Sequence, residues 1–251
     1  MPFGAITSHI DVAQVVLYTF WLFFLGLVLY LRYEDQREGY PLENEEGPTN
    51  RAIFYPPPAK TYMLPGGATT ETGKPERPDV KYKTSGYFIG NPIEPEGEPL
   101  SSGVGSASYA QRFDVPDVTF DGHNRIVPLR VAGEFGPDEG DKDPRGYQVL
   151  GSDQEVAGKV VDLWVDRAEY IFRYYEVELA DGQRRLTPVL FTVVNKERKT
   201  VFVDSITAAQ FAGVPALADA DQVTRLEEDK IVGYFGGGYL YSSAQRLEPY
   251  L

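Results

Sequence analysis

From Val12 to Leu31 the chain carries no charged side chain, and Leu, Val and Phe occupy thirteen of the twenty positions. The run keeps no polar face of the kind an amphipathic helix shows. As a helix it would rise roughly 30 Å, the hydrocarbon thickness of a bilayer. At about −0.3 to −0.6 kcal/mol per residue, its Leu, Val and Phe favour insertion by roughly 4 to 8 kcal/mol. A cleaved signal peptide fits poorly, because no Lys or Arg precedes the run and "YLRYEDQ" offers no small-residue cleavage site. The pattern therefore predicts one membrane-spanning helix over residues 12–31, with Tyr18, Trp21, Tyr30 and Tyr33 as candidate interfacial anchors.

Beyond the span the pattern changes twice. Residues 32–105 are dense in Pro and Gly, which break helices and favour polyproline or turn conformations. This segment has too few clustered apolar residues to bury a core of its own. Its scattered Phe54, Tyr55, Tyr62, Met63, Tyr82, Tyr87 and Phe88 favour an extended arm lying along a larger surface over a free linker. Residues 106–251 then read as a β-rich domain. In "GKVVDLWVD" a period of two sets Val161, Leu163 and Val165 on one face and Asp162, Trp164 and Asp166 on the other. Asp181-Gly182 and the stretch Asn195 to Arg198 are turn signals between strand-like runs, and several short strands so joined predict a small antiparallel barrel or sandwich. A helix is expected near Asp219 to Asp229, followed by the run Gly236 to Gly238.

Charge adds orientation and excludes partners. Residues 1–11 contain no Lys or Arg, whereas Arg32 and Arg37 follow the span at once, so the positive-inside rule puts the long C-terminal part in the cytoplasm. The formal net charge of −13 over 251 residues argues against a nucleic-acid partner and against adhesion to anionic lipid. With no cysteine, disulfides, thiolate metal sites and iron–sulfur clusters are excluded. With only His9 and His123, a multi-histidine metal site cannot be built within the chain.

Two stretches gather titratable residues. "DVPDVTFDGHN" holds Asp117, Asp121 and His123, and "VDRAEYIFRYYEVEL" holds Asp166, Glu169 and Arg173. If "AEYIFR" forms a helical turn, Glu169 and Arg173 share a face and can pair or bracket a water chain. A partly buried carboxylate beside Arg has its proton affinity set by two opposed influences, and histidine titrates near neutrality. The same residues also read as a solvated turn and an ordinary surface ion pair. "GVGSAS" at Gly103 follows no strand and opens no apolar helix, so it does not read as a dinucleotide loop.

Several stretches together resemble one family, the H subunit of the photosynthetic reaction centre of purple bacteria. They are "REGYPLENEEG", "GHNRIVPL", "EVAGKVVDLWVD", "YYEVELADGQRRLTPV", "FAGVP" and "LEEDKIVGYFGGGYLY", in family order around a single span. The resemblance implies a transmembrane helix, a surface arm and a cytoplasmic PRC-barrel-like domain, with residues 1–11 periplasmic, in a photosynthetic inner membrane. It implies a subunit without catalytic site or bound pigment of its own, capping L and M subunits that hold bacteriochlorophyll, bacteriopheophytin, quinones and non-haem iron. A light-harvesting antenna, a cytochrome subunit and membrane lipids are further candidate partners. Carried over by motif, Glu169, Asp166 and Arg173 match family positions near the secondary quinone's proton path, and His123 matches one of two family histidines where protons come in. The companion histidine stands here as Asp121, an adjacent family acid as Thr119, and Asp117 occupies another acidic position of that surface. A single-span scaffold with a binding-type β-barrel is the alternative, and a membrane-tethered enzyme a third reading.

Overall fold

The computed structural model describes residues 4–7, 9–37, 39–40, 42–44, 47–49, 57–64, 67–72, 81–84, 86, 91–141 and 143–247. The chain divides into two compact units, Met1–Arg77 and Pro78–Leu251.

In the first unit the apolar run forms helix α1, Val12–Glu34. Asp11 caps it: its Oδ1 accepts from the Gln14 backbone N–H at 2.8 Å, and Gln14 Oε1 accepts from the Asp11 N–H at 3.2 Å. This reciprocal pair satisfies two of the donors that a helix start leaves open. None of the helix's residues is buried within the chain, as expected for side chains whose solvent is lipid. The helix runs three residues beyond Leu31 and ends in a 3-10 turn, Asp35–Arg37, where Glu34 accepts from Arg37 at 2.6 and 2.9 Å and from Lys60 Nζ at 3.0 Å.

The Pro- and Gly-rich segment contains short two-stranded ribbons, Leu42–Asn44 with Gly47–Thr49 and Thr61–Met63 with Thr69–Glu71. A third, Tyr82–Thr84 with Ile93–Pro95, belongs to the second unit. Tyr62, Met63 and Tyr82 are exposed; Phe54, Tyr55, Tyr87 and Phe88 lie outside the described residues.

The second unit is built on one sheet. Its strands are β1 Ile126–Pro128, β2 Gln148–Leu150, β3 Val156–Asp166, β4 Ile171–Leu179, β5 Arg184–Pro188, β6 Thr192–Asn195 and β7 Thr200–Val203. The order is β5-β4-β3-β2-β7-β6, and β1 pairs with the far end of β3 beyond β2. All neighbours are antiparallel except β2 and β7. Gly182, at φ +81°, makes the tight turn from β4 to β5. At the β6–β7 turn Asn195 Oδ1 accepts from the N–H groups of Glu197 and Arg198 at 3.1 and 3.0 Å.

Strand β3 departs from strict alternation. Val160 pairs with Val177 and Asp162 with Glu176, leaving Val161 in a bulge. Val160 rather than Val161 therefore takes the core position, with Leu163 and Val165, and Asp162, Trp164 and Asp166 are buried on the other side. A second irregularity sets Arg173 out of register between Phe172 and Tyr174, the re-aiming that a bulge allows.

Helix α2, Arg225–Tyr241, starts later than its sequence signal and runs through the glycine run instead of ending before it. Thr224 and Glu227 form its capping box, whereas Asp219 closes only a local turn by accepting from the Asp221 N–H at 2.9 Å. The glycines extend the helix because they let it lie close to its neighbours: a Cβ on Gly238 would meet the Ser205 carbonyl oxygen and Ile206 Cγ2. Gly238→Ala is expected to lower stability by roughly 2 kcal/mol, since overpacking against a backbone carbonyl outweighs the helix-propensity gain of about 1 kcal/mol. An unchanged denaturation midpoint would remove that explanation of the glycine run. The largest fully buried side chains of the unit include Trp164, Leu163, Leu186, Phe211, Ile231 and Phe235, all under 2 % exposed.

Candidate functional site

A charged cluster forms where β1 meets the end of β3. Ile126 pairs with Asp166, the Arg125 N–H donates to the Asp117 carbonyl at 2.8 Å, and the Arg167 N–H donates to the Arg125 carbonyl at 2.9 Å. These backbone bonds bring three segments together around one guanidinium. Arg125 donates through Nε to both oxygens of Asp166 at 2.9 and 3.0 Å, through Nη1 to Asp117 at 3.3 Å and through Nη2 to Glu169.

Asp166 is fully buried. Besides Arg125 it accepts from the N–H groups of Ala168 and Glu169 at 3.0 and 3.1 Å, in the tight turn that leads into β4. Burial by itself would raise its proton affinity, but the Arg125 bonds and the two backbone donors outweigh it and hold the carboxyl below its ordinary value. The bond from Arg125 to Asp166 in turn raises the affinity of the guanidinium for its own proton, against the opposing effect of burial.

The stretch "AEYIFR" is not a helical turn. Tyr170, at φ +58°, donates its N–H to the Asp166 carbonyl at 2.8 Å, and the strand begins at Ile171. Glu169 therefore pairs with Arg125 and not with Arg173, whose Nε stands 3.8 Å from Asp166 Oδ2. Asp117, Asp166, Glu169 and Arg173 are thus gathered at one place. Asp121 and His123 are not: both are exposed on a loop that returns through the Val118–Asn124 bridge. His123 lines a separate depression of about 390 Å³ with Arg167, Asp219, Asp221 and Gln222.

Next to the cluster lies a cleft of about 330 Å³, lined by Asp117, Arg125, Arg173 and, from α2, Arg225, Glu228 and Asp229. Arg125, which organises the cluster, was not among the residues singled out from sequence. Its signal was present as the one cation closing the acid-rich stretch "DVPDVTFDGHNR". Among the described residues no group of three or more His, Asp or Glu side chains converges as a metal site.

Residues 4–131 match the family model described as the photosynthetic reaction centre H-chain N-terminal region. The chain belongs to the reaction-centre H-chain family. Residues 136–210 match the PRC-barrel domain, and so take in β2 to β7. Among the described residues the chain accordingly has one apolar N-terminal helix long enough to cross a membrane, together with a β-rich PRC-barrel domain. Among the described residues the pairing of that domain's sheet runs as an open path from β5 to β6. The two family matches meet between the Arg125 cluster's first strand and the rest of the sheet, so Asp117 and Arg125 come from one matched region, Asp166, Glu169 and Arg173 from the other.

Proposed function

We propose that this H chain caps the cytoplasmic face of the L and M subunits of a photosynthetic reaction centre and conducts protons towards the secondary quinone. The observation that carries the reading is the Arg125 cluster, which sets a buried carboxylate, two partly exposed ones and a second arginine beside an open cleft. Reducing a quinone by two electrons takes up two protons, and a cap that excludes water must supply groups to carry them. The partly exposed Glu169 and Asp117 pass protons between cleft water and partner, Arg173 stabilises the anions, and Asp121 and His123 collect protons at the surface. Asp166 stays ionised and fixes the guanidinium. The chain binds no redox group itself; pigments, quinones and iron belong to its partners. Exposed Phe113, Val118, Phe120, Leu190 and Val193 supply apolar area for contact with those partners. Arg32 and Arg37, directly after the apolar run, support a cytoplasmic side for the domain and a periplasmic one for the first eleven residues.

Glu169→Gln tests the reading in the assembled complex. Transfer of the second electron to the quinone after a light flash should slow by roughly tenfold, with primary charge separation unchanged. Second-electron kinetics that match wild type at every pH would remove the proton-conducting role.

A further inference from the structure

One carboxyl in the cleft differs from its neighbours. Asp117 is answered by Arg125 at 3.3 Å and Asp229 by Arg112 at 2.9 Å. Glu228, in the first turn of α2, has among the described residues no Lys or Arg nitrogen within the 4.0 Å of an ion pair. Its Oε2 accepts instead from the hydroxyl of Tyr174, which is 4 % exposed. The groups that face it are Arg173 and Tyr174 from β4, Arg225 and Asp229 from its own helix, and Arg112, Asp117 and Arg125 from the segments across the cleft. Burial raises the proton affinity of Glu228; the Tyr174 bond and the charge of Arg173 oppose it, Asp117 and Asp229 add to it, and the net direction is upward. Burial also raises the affinity of the Tyr174 hydroxyl, so the phenol keeps its proton and remains the donor.

We propose that Glu228 is the carboxyl at which this cleft takes up and releases a proton, held on Oε1 while Oε2 accepts from Tyr174. The proton comes from cleft water, the carboxylate becomes a neutral acid, and release restores the anion; no other bond changes. The proposal rests on the reading of the domain as a proton-conducting cap, and names the group where the proton waits. It separates two roles that sequence alone assigns to any acid of the cluster: Asp166 is a fixed charge, and Glu228 an exchanging one. An ion-paired carboxylate passes a proton on without keeping it, whereas one desolvated and lacking an ion-pair cation holds it more tightly.

Difference infrared spectroscopy on the detergent-solubilised complex tests this, with the pH varied from about 5 to about 9. Wild type should show a carboxylic C=O band that titrates above the ordinary carboxylate range and shifts in heavy water. The band should be lost in Glu228→Gln and kept in Glu169→Gln. In Tyr174→Phe the titration should move to higher pH, because the donor that favours the anion is gone. A band that persists in Glu228→Gln, or a shift to lower pH in Tyr174→Phe, overturns the proposal. If Glu169→Gln leaves flash kinetics untouched while the Glu228 band behaves as stated, proton conduction fails and the proton-holding carboxyl stands.

Discussion

Replacing Arg130 by Met lowers the stability of the β-rich unit by about 3–5 kcal/mol. Arg130 Nη1 lies 3.0 Å from Asp162 Oδ2 and 2.5 Å from Glu176 Oε2, and its Nε lies 2.9 Å from Asp221. Asp162 and Glu176 are 7 % and 3 % exposed. Glu176 keeps other donors without Arg130, namely Arg184 Nη1 at 3.0 Å and Trp164 Nε1 at 3.0 Å. Asp162 keeps two backbone donors, the N–H of Leu163 at 2.9 Å and that of residue 130 at 3.4 Å, but no ion-pair cation. Most of the loss thus comes from one carboxylate left buried without a cation. Met restores the volume of the side chain's stem but not the charge, so packing is largely retained. Thermal unfolding of the full chain in detergent should show a midpoint lower by roughly 10 °C. Adding Asp162→Asn should recover a good part of it, whereas Asp221→Asn, at an exposed partner, should recover almost nothing. Equal recovery by both second changes would mean that the uncompensated charge at Asp162 is not the cause.

Arg125→Met should cost about 3 kcal/mol near neutral pH and also reverse the sign of a pH dependence. The cost is somewhat smaller because Arg173 stands 3.8 Å from Asp166 and remains in the variant. In the wild type the folded Asp166 carboxyl is held below its ordinary value. Its contribution to stability is therefore complete above the unfolded value of about 3.9 and is lost as pH falls through the lower folded one. Without Arg125, burial is opposed only by two backbone donors and the Arg173 guanidinium at 3.8 Å, and the folded carboxyl is expected to rise above its unfolded value. The contribution is then complete below about pH 3.9 and is lost as pH rises through the raised folded value. Wild type and variant should thus diverge steadily from acid to neutral pH in denaturant titrations. Parallel curves over that interval would mean that Asp166 does not depend on Arg125 for its ionisation.

The two clusters show how unevenly the site could be read from sequence. Asp117, Asp166, Glu169 and Arg173 stand out as titratable residues in two short stretches, and the structure brings them together. Nothing in their spacing reveals that Arg125 is the hub, because its role comes from β1 pairing with the end of β3, forty residues later in the chain. The expected partnership of Glu169 with Arg173 assumes a helical period, and the turn at Tyr170 removes it. Asp121 and His123 share a stretch with Asp117, yet the Val118–Asn124 bridge folds them onto an exposed loop. Glu228 and Tyr174 carry no signal at all: one looks like a surface acid on a capped helix and the other like a strand aromatic.

What the sequence determined by itself is whatever depends on local composition. An uncharged twenty-residue run needs no tertiary partner to be a spanning helix, because its own backbone bonds and its apolar side chains satisfy the bilayer. Tight turns at Asp181-Gly182 and after Asn195 are likewise set by neighbouring residues, and so is the strand alternation until a bulge resets it. Tertiary structure alone decided the continuation of α2 through Gly236 to Gly238, which depends on how closely Ser205 approaches. It also decided which carboxyls are pinned as anions and which one is left to take a proton. A carboxyl's proton affinity follows from burial and from the cation or donor within a few ångströms of it, and those neighbours come from strands and helices far apart in the chain.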